Sequence, residues 1–132
     1  MSHELPVRVY YEDTDTAGIV YHASYLRFAE RGRTEMLRDA GFEHAEILKN
    51  QGIAFTVISM QINFKIPAKL DELLVVKTHI ESMGGASMVM TQSIWRGEEQ
   101  LVDMSVKIAC IDKRGKAARL PEAVRKLFRD GV

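Results

Sequence analysis

Apolar residues follow two different spacings along this chain, and the change falls near residue 53. Before that point they recur at intervals of three and four, which is the spacing of one face of an α-helix. The members of this stripe are Tyr25, Leu26, Ala29, Gly32, Met36, Leu37 and Ala40. The spacing predicts a helix over residues 24–40 that is capped by His22 or Ser24 and stopped by Gly41.

Beyond residue 53, apolar and polar residues alternate, which is typical of strands with one buried face. Four strands are predicted, over residues 58–66, 72–82, 87–96 and 100–112, and Pro67 ends the first of them. The turns between the later strands are short, so these strands are expected to pair as antiparallel neighbours.

Three shorter elements and a loop complete the pattern. A first strand is predicted over residues 5–11, and Pro6 favours a position at the edge of the sheet. A polar loop follows over residues 12–21. Residues 43–50 are expected to form a short helical turn or lid, and residues 121–130 a terminal helix.

This order of elements predicts an α+β fold over residues 1–132, in which an antiparallel sheet of about five strands wraps the long helix. The 132 residues fit one domain with a normal core. Lys plus Arg and Asp plus Glu number 18 each, so no overall field attracts nucleic acid or an anionic membrane. No transmembrane helix or signal peptide is expected. The single cysteine, Cys110, excludes an internal disulfide and fits a reducing compartment, so the cytoplasm is the expected location.

The candidate chemistry lies where the loop meets the helix. Asp15 stands seven residues before His22, which places a carboxylate near the positive end of a helix. Amides at a helix start can hold a developing oxyanion, so this arrangement suits attack on a carbonyl. Asp13 is a rival carboxylate, and we interpret it as a solvated loop residue. Gly18 allows the loop to turn back.

Other chemistries have little support in the sequence. His3, His22, His44 and His79 do not have the spacing of metal ligands, and no metal is expected. There is no Gly-x-Ser-x-Gly elbow and no glycine-rich phosphate loop. Cys110 is in register with buried positions and is expected in the core.

Two features of the predicted helix concern packing and charge. Glu30 lies three residues from both Arg27 and Arg33 and is expected to form a surface ion pair. Gly32 costs about 1 kcal/mol relative to alanine inside a helix, which predicts a close approach of a strand or a second helix.

Several motifs resemble one known family. Arg8-Val9, Thr14-Asp15, Gly18-Ile19-Val20 and Tyr25 stand as in the hotdog-fold acyl-CoA thioesterases of the 4-hydroxybenzoyl-CoA thioesterase type. Within that family the chain looks most like the bacterial thioesterases associated with the Tol–Pal system. The segments that carry this second likeness are Tyr21-His22-Ala23-Ser24-Tyr25, Glu30-Arg31-Gly32-Arg33 and Phe64-Lys65-Ile66-Pro67-Ala68.

The resemblance implies a hotdog fold, a dimer whose sheets join edge to edge, often a tetramer, and an active site at the dimer interface. The implied substrate is a fatty-acyl or aromatic thioester of coenzyme A, which is part of the substrate, so no separate cofactor is expected. Asp15 matches the catalytic carboxylate, acting as a nucleophile or as a general base for water. The backbone N–H of His22 matches the carbonyl-polarising donor, and the His22 imidazole and Tyr11 match residues implicated in the Tol–Pal-type members.

Substrate binding is expected from residues around the catalytic carboxylate: Gly18, Ile19 and Val20 in the loop, Tyr21 and Tyr25 at the helix entry, and Lys65. The two tyrosines are expected to wall the acyl pocket, with core packing as an alternative that also applies to Tyr11. Lys65 or Arg96 is expected near the phosphates or the adenosine of coenzyme A, with an ordinary solvated cation as the alternative.

Two other functions compete with thioester hydrolysis. A hotdog hydratase or dehydratase would also use a carboxylate and a histidine near a helix. A non-hydrolytic partner protein would bind acyl carrier protein or enzymes of phospholipid synthesis.

Overall fold

Five antiparallel strands form one sheet, and the longest helix lies against one of its faces. The computed structural model describes residues 2–42 and 44–130. The strands are β1 (His3–Arg8), β2 (Ile53–Phe64), β3 (Leu73–Met83), β4 (Ser87–Arg96) and β5 (Glu99–Asp112), in the spatial order β1-β3-β4-β5-β2. The helices are α1 (His22–Asp39), α2 (His44–Gln51) and α3 (Glu122–Asp130). The predicted α+β class is confirmed.

The core lies between α1 and the sheet, and on β3, β4 and β5 it buries the residues that the alternation predicted. On the sheet side it contains Leu74, Val76, Ile80, Met88, Met90, Ile94, Val102, Met104, Val106, Ile108 and Cys110. The helix stripe differs in two places, because Leu26 is 38% exposed and Ala40 is also exposed. Phe28 is fully buried instead, next to Tyr25 in an edge-to-face ring contact.

The close approach predicted at Gly32 is confirmed. A Cβ atom on Gly32 would lie 2.7 Å from Cγ1 of Val76 and 3.0 Å from Oγ1 of Thr78. Gln92, buried at the same level, donates hydrogen bonds to the Ala29 carbonyl and to Thr78. Helix and sheet are therefore joined here by polar contacts as well as by apolar packing.

The ion pair expected around Glu30 is not formed in the described part of the chain. Arg33 donates to the Gln92 side chain at 2.9 Å, and burial lowers the pKa of the Arg33 guanidinium. Arg27 donates to Oγ of Ser24 at 2.7 Å. The prediction was wrong because both arginines turn towards buried polar groups.

Two element boundaries differ from their predictions at the front of the chain. β1 ends at Arg8, and Tyr11, at the end of the predicted strand, instead begins a 3₁₀ turn, Tyr11–Asp13. α1 begins at His22, and its N-cap residue is Tyr21, which makes no side-chain capping bond. Neither His22 nor Ser24 therefore caps the helix. Pro6 lies on β1 at one edge of the sheet, as predicted.

The other edge strand, β2, begins five residues earlier and ends two residues earlier than predicted, and it is more exposed. Its pairing with β5 shifts between Val57 and Ser59, so Ile58 lies in a bulge. Val57 is 43% exposed and Ile58 is 56% exposed. The exposure arises because one side of β2 has no neighbouring strand within the described chain.

Candidate active site

The loop between β1 and α1 is a narrow hairpin. Thr14 pairs with Val20, and the Asp15 N–H donates to the Ile19 carbonyl at 2.9 Å. Gly18 has a φ of +80° and donates its N–H to the Asp15 carbonyl at 3.1 Å. A side chain resists this left-handed conformation, so glycine here allows the hairpin to close.

The hairpin is fastened to the segment that follows β2. The Val20 N–H donates to the Ala68 carbonyl at 2.9 Å, and Ile19 pairs with Lys69. The Ala68 N–H in turn donates to the hydroxyl of Tyr25 at 2.9 Å. Tyr25 is 3% exposed, and this burial raises the pKa of its phenol. Tyr25 therefore links the start of α1 to the segment that holds the hairpin.

Asp15 lies at the exposed tip of this hairpin. Its Oδ1 accepts a hydrogen bond from the Ala17 N–H at 2.8 Å, which fixes the direction of the side chain. Its Oδ2 accepts no hydrogen bond within the described residues. One carboxylate oxygen of this exposed residue is therefore held in place, and the other has no hydrogen bond in that part of the chain.

Asp13 has a structural role, which corrects the prediction of a solvated loop residue. Its side chain is buried, with 3% of the residue exposed, and Oδ2 accepts the Tyr10 N–H at 2.8 Å. Its carbonyl accepts the Tyr21 N–H at 2.8 Å. Asp13 thus stabilises the 3₁₀ turn and the entry to α1.

The first turn of α1 presents free amides. The first N–H groups of a helix have no acceptor within the helix, and among the described residues the N-cap side chain of Tyr21 does not accept a bond from them. The Ser24 N–H is satisfied by the Tyr21 carbonyl at 2.8 Å. The amides of His22 and Ala23 therefore remain available for an oxygen atom that carries negative charge.

An open depression of about 190 Å³ lies beside this helix start. It is lined by Ile19, Val20, His22, Tyr25, Phe64, Lys65, Ile66 and Pro67. The structure thus brings together five of the predicted site residues here, whereas Tyr11, Asp15, Gly18 and Tyr21 do not line the depression.

Phe64 is a wall of the depression that the sequence interpretation missed. Its ring lies 5.7 Å from that of Tyr25 and 6.2 Å from that of His22, the latter in an edge-to-face arrangement. The sequence did indicate this role in one respect, because Phe64 ends an alternating strand and directly precedes the predicted site residue Lys65. The residue remains 49% exposed, so one side of this wall is uncovered in the single chain.

Two predicted aromatic residues lie outside the core. Tyr11 is 83% exposed, so the alternative of core packing for Tyr11 was wrong. Tyr21 is 49% exposed, and its ring lies 4.5 Å from that of His22. Neither hydroxyl makes a hydrogen bond within the described residues.

The two cations expected near phosphates are already paired with carboxylates. Lys65 lies 2.9 Å from Oδ2 of Asp103. Arg96 forms ion pairs with Glu72, at 2.7 Å, and with Glu99. The hydrogen bonds to Glu99 and Glu72 raise the pKa of the Arg96 guanidinium, and the bond to Glu99 has the larger effect.

Among the described residues, no group of three or more histidine, cysteine or acidic side chains is placed to bind a metal ion. No helix in that part of the chain is long and apolar enough to cross a membrane.

Comparison with known proteins identifies the family. The sequence profile of the thioesterase superfamily matches residues 17–102. The chain belongs to the thioesterase superfamily. It is 44% identical over 124 residues to the acyl-CoA thioesterase YbgC of Haemophilus influenzae, a match that covers 93% of this chain and 91% of that protein. It is also 44% identical over 126 residues to the acyl-CoA thioester hydrolase YbgC of an Escherichia coli strain, covering 94% and 93% of the two chains.

A solved structure of this superfamily supports the same fold. The probable thioesterase from Bartonella henselae is 47% identical and superposes with a TM-score of 0.89, covering 92% of this chain and all of the other. The resemblance to hotdog thioesterases is therefore confirmed. The profile match begins two residues after Asp15, so the catalytic assignment of Asp15 stays a prediction.

Proposed function

We propose that this protein hydrolyses the thioester bond of an acyl-CoA to give a free acid and coenzyme A. The observation that carries the proposal is the uncapped start of α1, which opens beside an apolar depression and next to the hairpin with Asp15. This arrangement occurs in a chain 44% identical to a protein named acyl-CoA thioesterase.

The proposed chemistry uses the helix start as the oxyanion site. The amides of His22 and Ala23 hold the carbonyl oxygen of the thioester, and negative charge develops there as the carbon becomes tetrahedral. The acyl chain enters the depression between Tyr25 and Phe64. The carbon–sulfur bond then breaks, and the coenzyme A thiolate leaves and takes up a proton.

Asp15 promotes attack on the carbonyl carbon in one of two ways. As a general base it takes a proton from water while the water oxygen bonds to the carbonyl carbon. As a nucleophile its own oxygen forms an anhydride, which water then hydrolyses. The imidazole of His22 orients the water or protonates the departing thiolate, and the hydroxyl of Tyr11 lies on the exposed side of the same loop.

A homodimer completes this proposal. The free edge of β2 carries exposed Val57 and Ile58, and an unpaired strand edge is a template for a second chain. Phe64, half exposed at the end of the same strand, would then be covered at the interface. Four further properties rest on the family resemblance alone. They are a tetramer built from two such dimers, an association with the Tol–Pal system, acyl carrier protein as an alternative carrier, and a cytoplasmic location.

The test is a survey of hydrolysis across acyl-CoA substrates of increasing chain length, with an aromatic acyl-CoA included. Release of the coenzyme A thiol is followed against an enzyme-free control. We expect hydrolysis of at least one substrate well above that control. Hydration of an enoyl-CoA without any thiol release would contradict the proposal and favour a hydratase.

A further inference from the structure

The positive charge of this chain is concentrated at its end. The last 20 residues contain seven lysines and arginines and two acidic residues, whereas the first 112 contain eleven and sixteen. The balanced total therefore conceals a basic segment on an acidic body. Such an asymmetry points to contact with an anionic partner.

Most cations in this segment form no ion pair in the part of the chain that the structure describes. Within the described residues, five of them are exposed and form no ion pair: Lys113, Arg114, Lys116, Arg119 and Lys126. Arg125, in contrast, donates to the Gly84 carbonyl at 3.0 Å, and Arg129 pairs with Glu122 at 2.6 Å. Residues 113–116 directly follow β5 and contain three of these cations, and we call them the basic turn.

The basic turn has a fixed shape and position. The Oδ1 atom of Asp112 accepts the N–H groups of Arg114 and Lys116, at 2.8 and 3.0 Å, which holds the turn closed. Lys113 crosses Gly52, where a Cβ atom would lie 3.2 Å from its Cε. The turn therefore stands at the beginning of β2, since Ile53 pairs with Asp112.

The candidate site lies at the opposite end of the same strand, beside Phe64. β2 has 12 residues, which corresponds to about 36 Å at the rise of an extended strand. The basic turn is thus far from the site of its own chain. Lys65, which lines that site, and Arg96 are already paired with carboxylates.

A two-fold dimer formed through β2 would bring the basic turn of one chain close to the candidate site of the other. Two copies of one edge strand related by a two-fold axis run antiparallel, so the beginning of one strand lies beside the end of the other. An axis near Ile58, the exposed middle of β2, places Ile53 beside Phe64 of the partner subunit. Each basic turn then stands next to the candidate site of the other chain.

We propose that the basic turn of one protomer binds the phosphates of coenzyme A while the thioester occupies the site of its partner. Lys113, Arg114 and Lys116 are the cations assigned to this role. The inference rests on the proposed hydrolysis of acyl-CoA and on the β2 dimer, and it makes each site incomplete without a second copy of the chain.

The test compares two substrates with the same acyl group: an acyl-CoA, and an acyl-pantetheine thioester that lacks the nucleotide and its phosphates. The variant Lys113→Gln/Arg114→Gln/Lys116→Gln should raise the KM for the acyl-CoA about tenfold, the effect of losing three exposed charge contacts. Its KM for the acyl-pantetheine and its kcat should stay unchanged. The variant Arg31→Gln/Arg38→Gln/Lys107→Gln makes the same change in charge at exposed cations away from the basic turn, and it should behave as wild type. Thermal unfolding and gel filtration check that each variant is folded and dimeric.

A mixed dimer tests the contribution of the partner. One subunit carries Asp15→Asn with an intact basic turn, and the other has an intact Asp15 with the neutralised turn. The functional site in this dimer faces an intact turn, so its KM for the acyl-CoA should return to the wild-type value.

The inference would be overturned by an unchanged KM for the acyl-CoA in the turn variant, by a mixed dimer that keeps the raised KM, or by a monomeric active enzyme. A raised KM in Lys69→Gln with none in the turn variant would also overturn it, by assigning the phosphates to an exposed cation beside Ile19 in the same chain. Failure of the proposed function is distinguishable, because wild type would then hydrolyse neither substrate.

Discussion

At the scale of single residues, two aspartates that stand two positions apart differ in burial and in role. Asp13 is buried and accepts the Tyr10 N–H, whereas Asp15 is exposed at the hairpin tip. The motif alone singled out Asp15, but it did not reveal the role of Asp13. That role depends on the 3₁₀ turn, Tyr11–Asp13, which alternation of apolar residues does not signal.

The hydroxyl of Tyr25 provides a test of how the site is held together. Tyr25→Phe removes the acceptor of the buried Ala68 N–H, so we expect the free energy of unfolding to fall by about 1–3 kcal/mol. Urea denaturation measures this change. Tyr21→Phe is the matched control, since that hydroxyl makes no hydrogen bond within the described residues, and it should leave stability unchanged. Equal stability of the two variants would contradict the anchoring role of Tyr25.

At the scale of elements, the sequence predicted the strands well, because their apolar faces are continuous. The predicted strand over residues 87–96 matches β4, and the last strand differs by one residue at its start. β2 was less predictable, because its bulge at Ile58 and its free edge depend on which strands become neighbours. The hydrogen bonds that join Gln92, Thr78 and Arg33 were not predicted, because alternation places a polar residue on the buried face of a strand but does not identify its partners.

The contact between α1 and β3 gives a prediction at this scale. Gly32→Ala favours the helix by about 1 kcal/mol but forces a methyl group against Val76 and Thr78. We expect a net loss of about 1–3 kcal/mol in the free energy of unfolding, because overpacking outweighs helix propensity. In a Val76→Ala background, which lacks the closest atom, the same substitution should cost less. A stabilising effect of Gly32→Ala in the wild-type background would show that the contact is not tight.

At the scale of the whole molecule, the single chain leaves its site half open. Phe64 is 49% exposed, and the apolar middle of β2 faces solvent. The family resemblance suggested that a second copy covers this edge, whereas periodicity in one chain carries no information on its partners. The equal numbers of basic and acidic residues also gave no indication of the basic turn, because a total does not show where along the chain the charges lie.

The edge of β2 makes the dimer testable. Ile58→Glu places a charge at the proposed interface and should convert the wild-type oligomer to a monomer, as measured by light scattering after gel filtration. Because Ile58 is 56% exposed, the monomer should stay folded. Leu73→Glu, at a 49% exposed position on β3, is the control and should keep the wild-type mass. An Ile58→Glu protein of unchanged mass would place the interface elsewhere.

The central claim is that Asp15 drives thioester hydrolysis beside the free amides of α1. It is tested most directly by the kcat of Asp15→Asn on the best acyl-CoA substrate, with Glu12→Gln, an exposed acid in the same loop, as the control. We expect kcat to fall by at least about 100-fold in Asp15→Asn, the usual contribution of a general base, and to stay at the wild-type value in Glu12→Gln. A kcat for Asp15→Asn within about twofold of wild type would contradict the assignment.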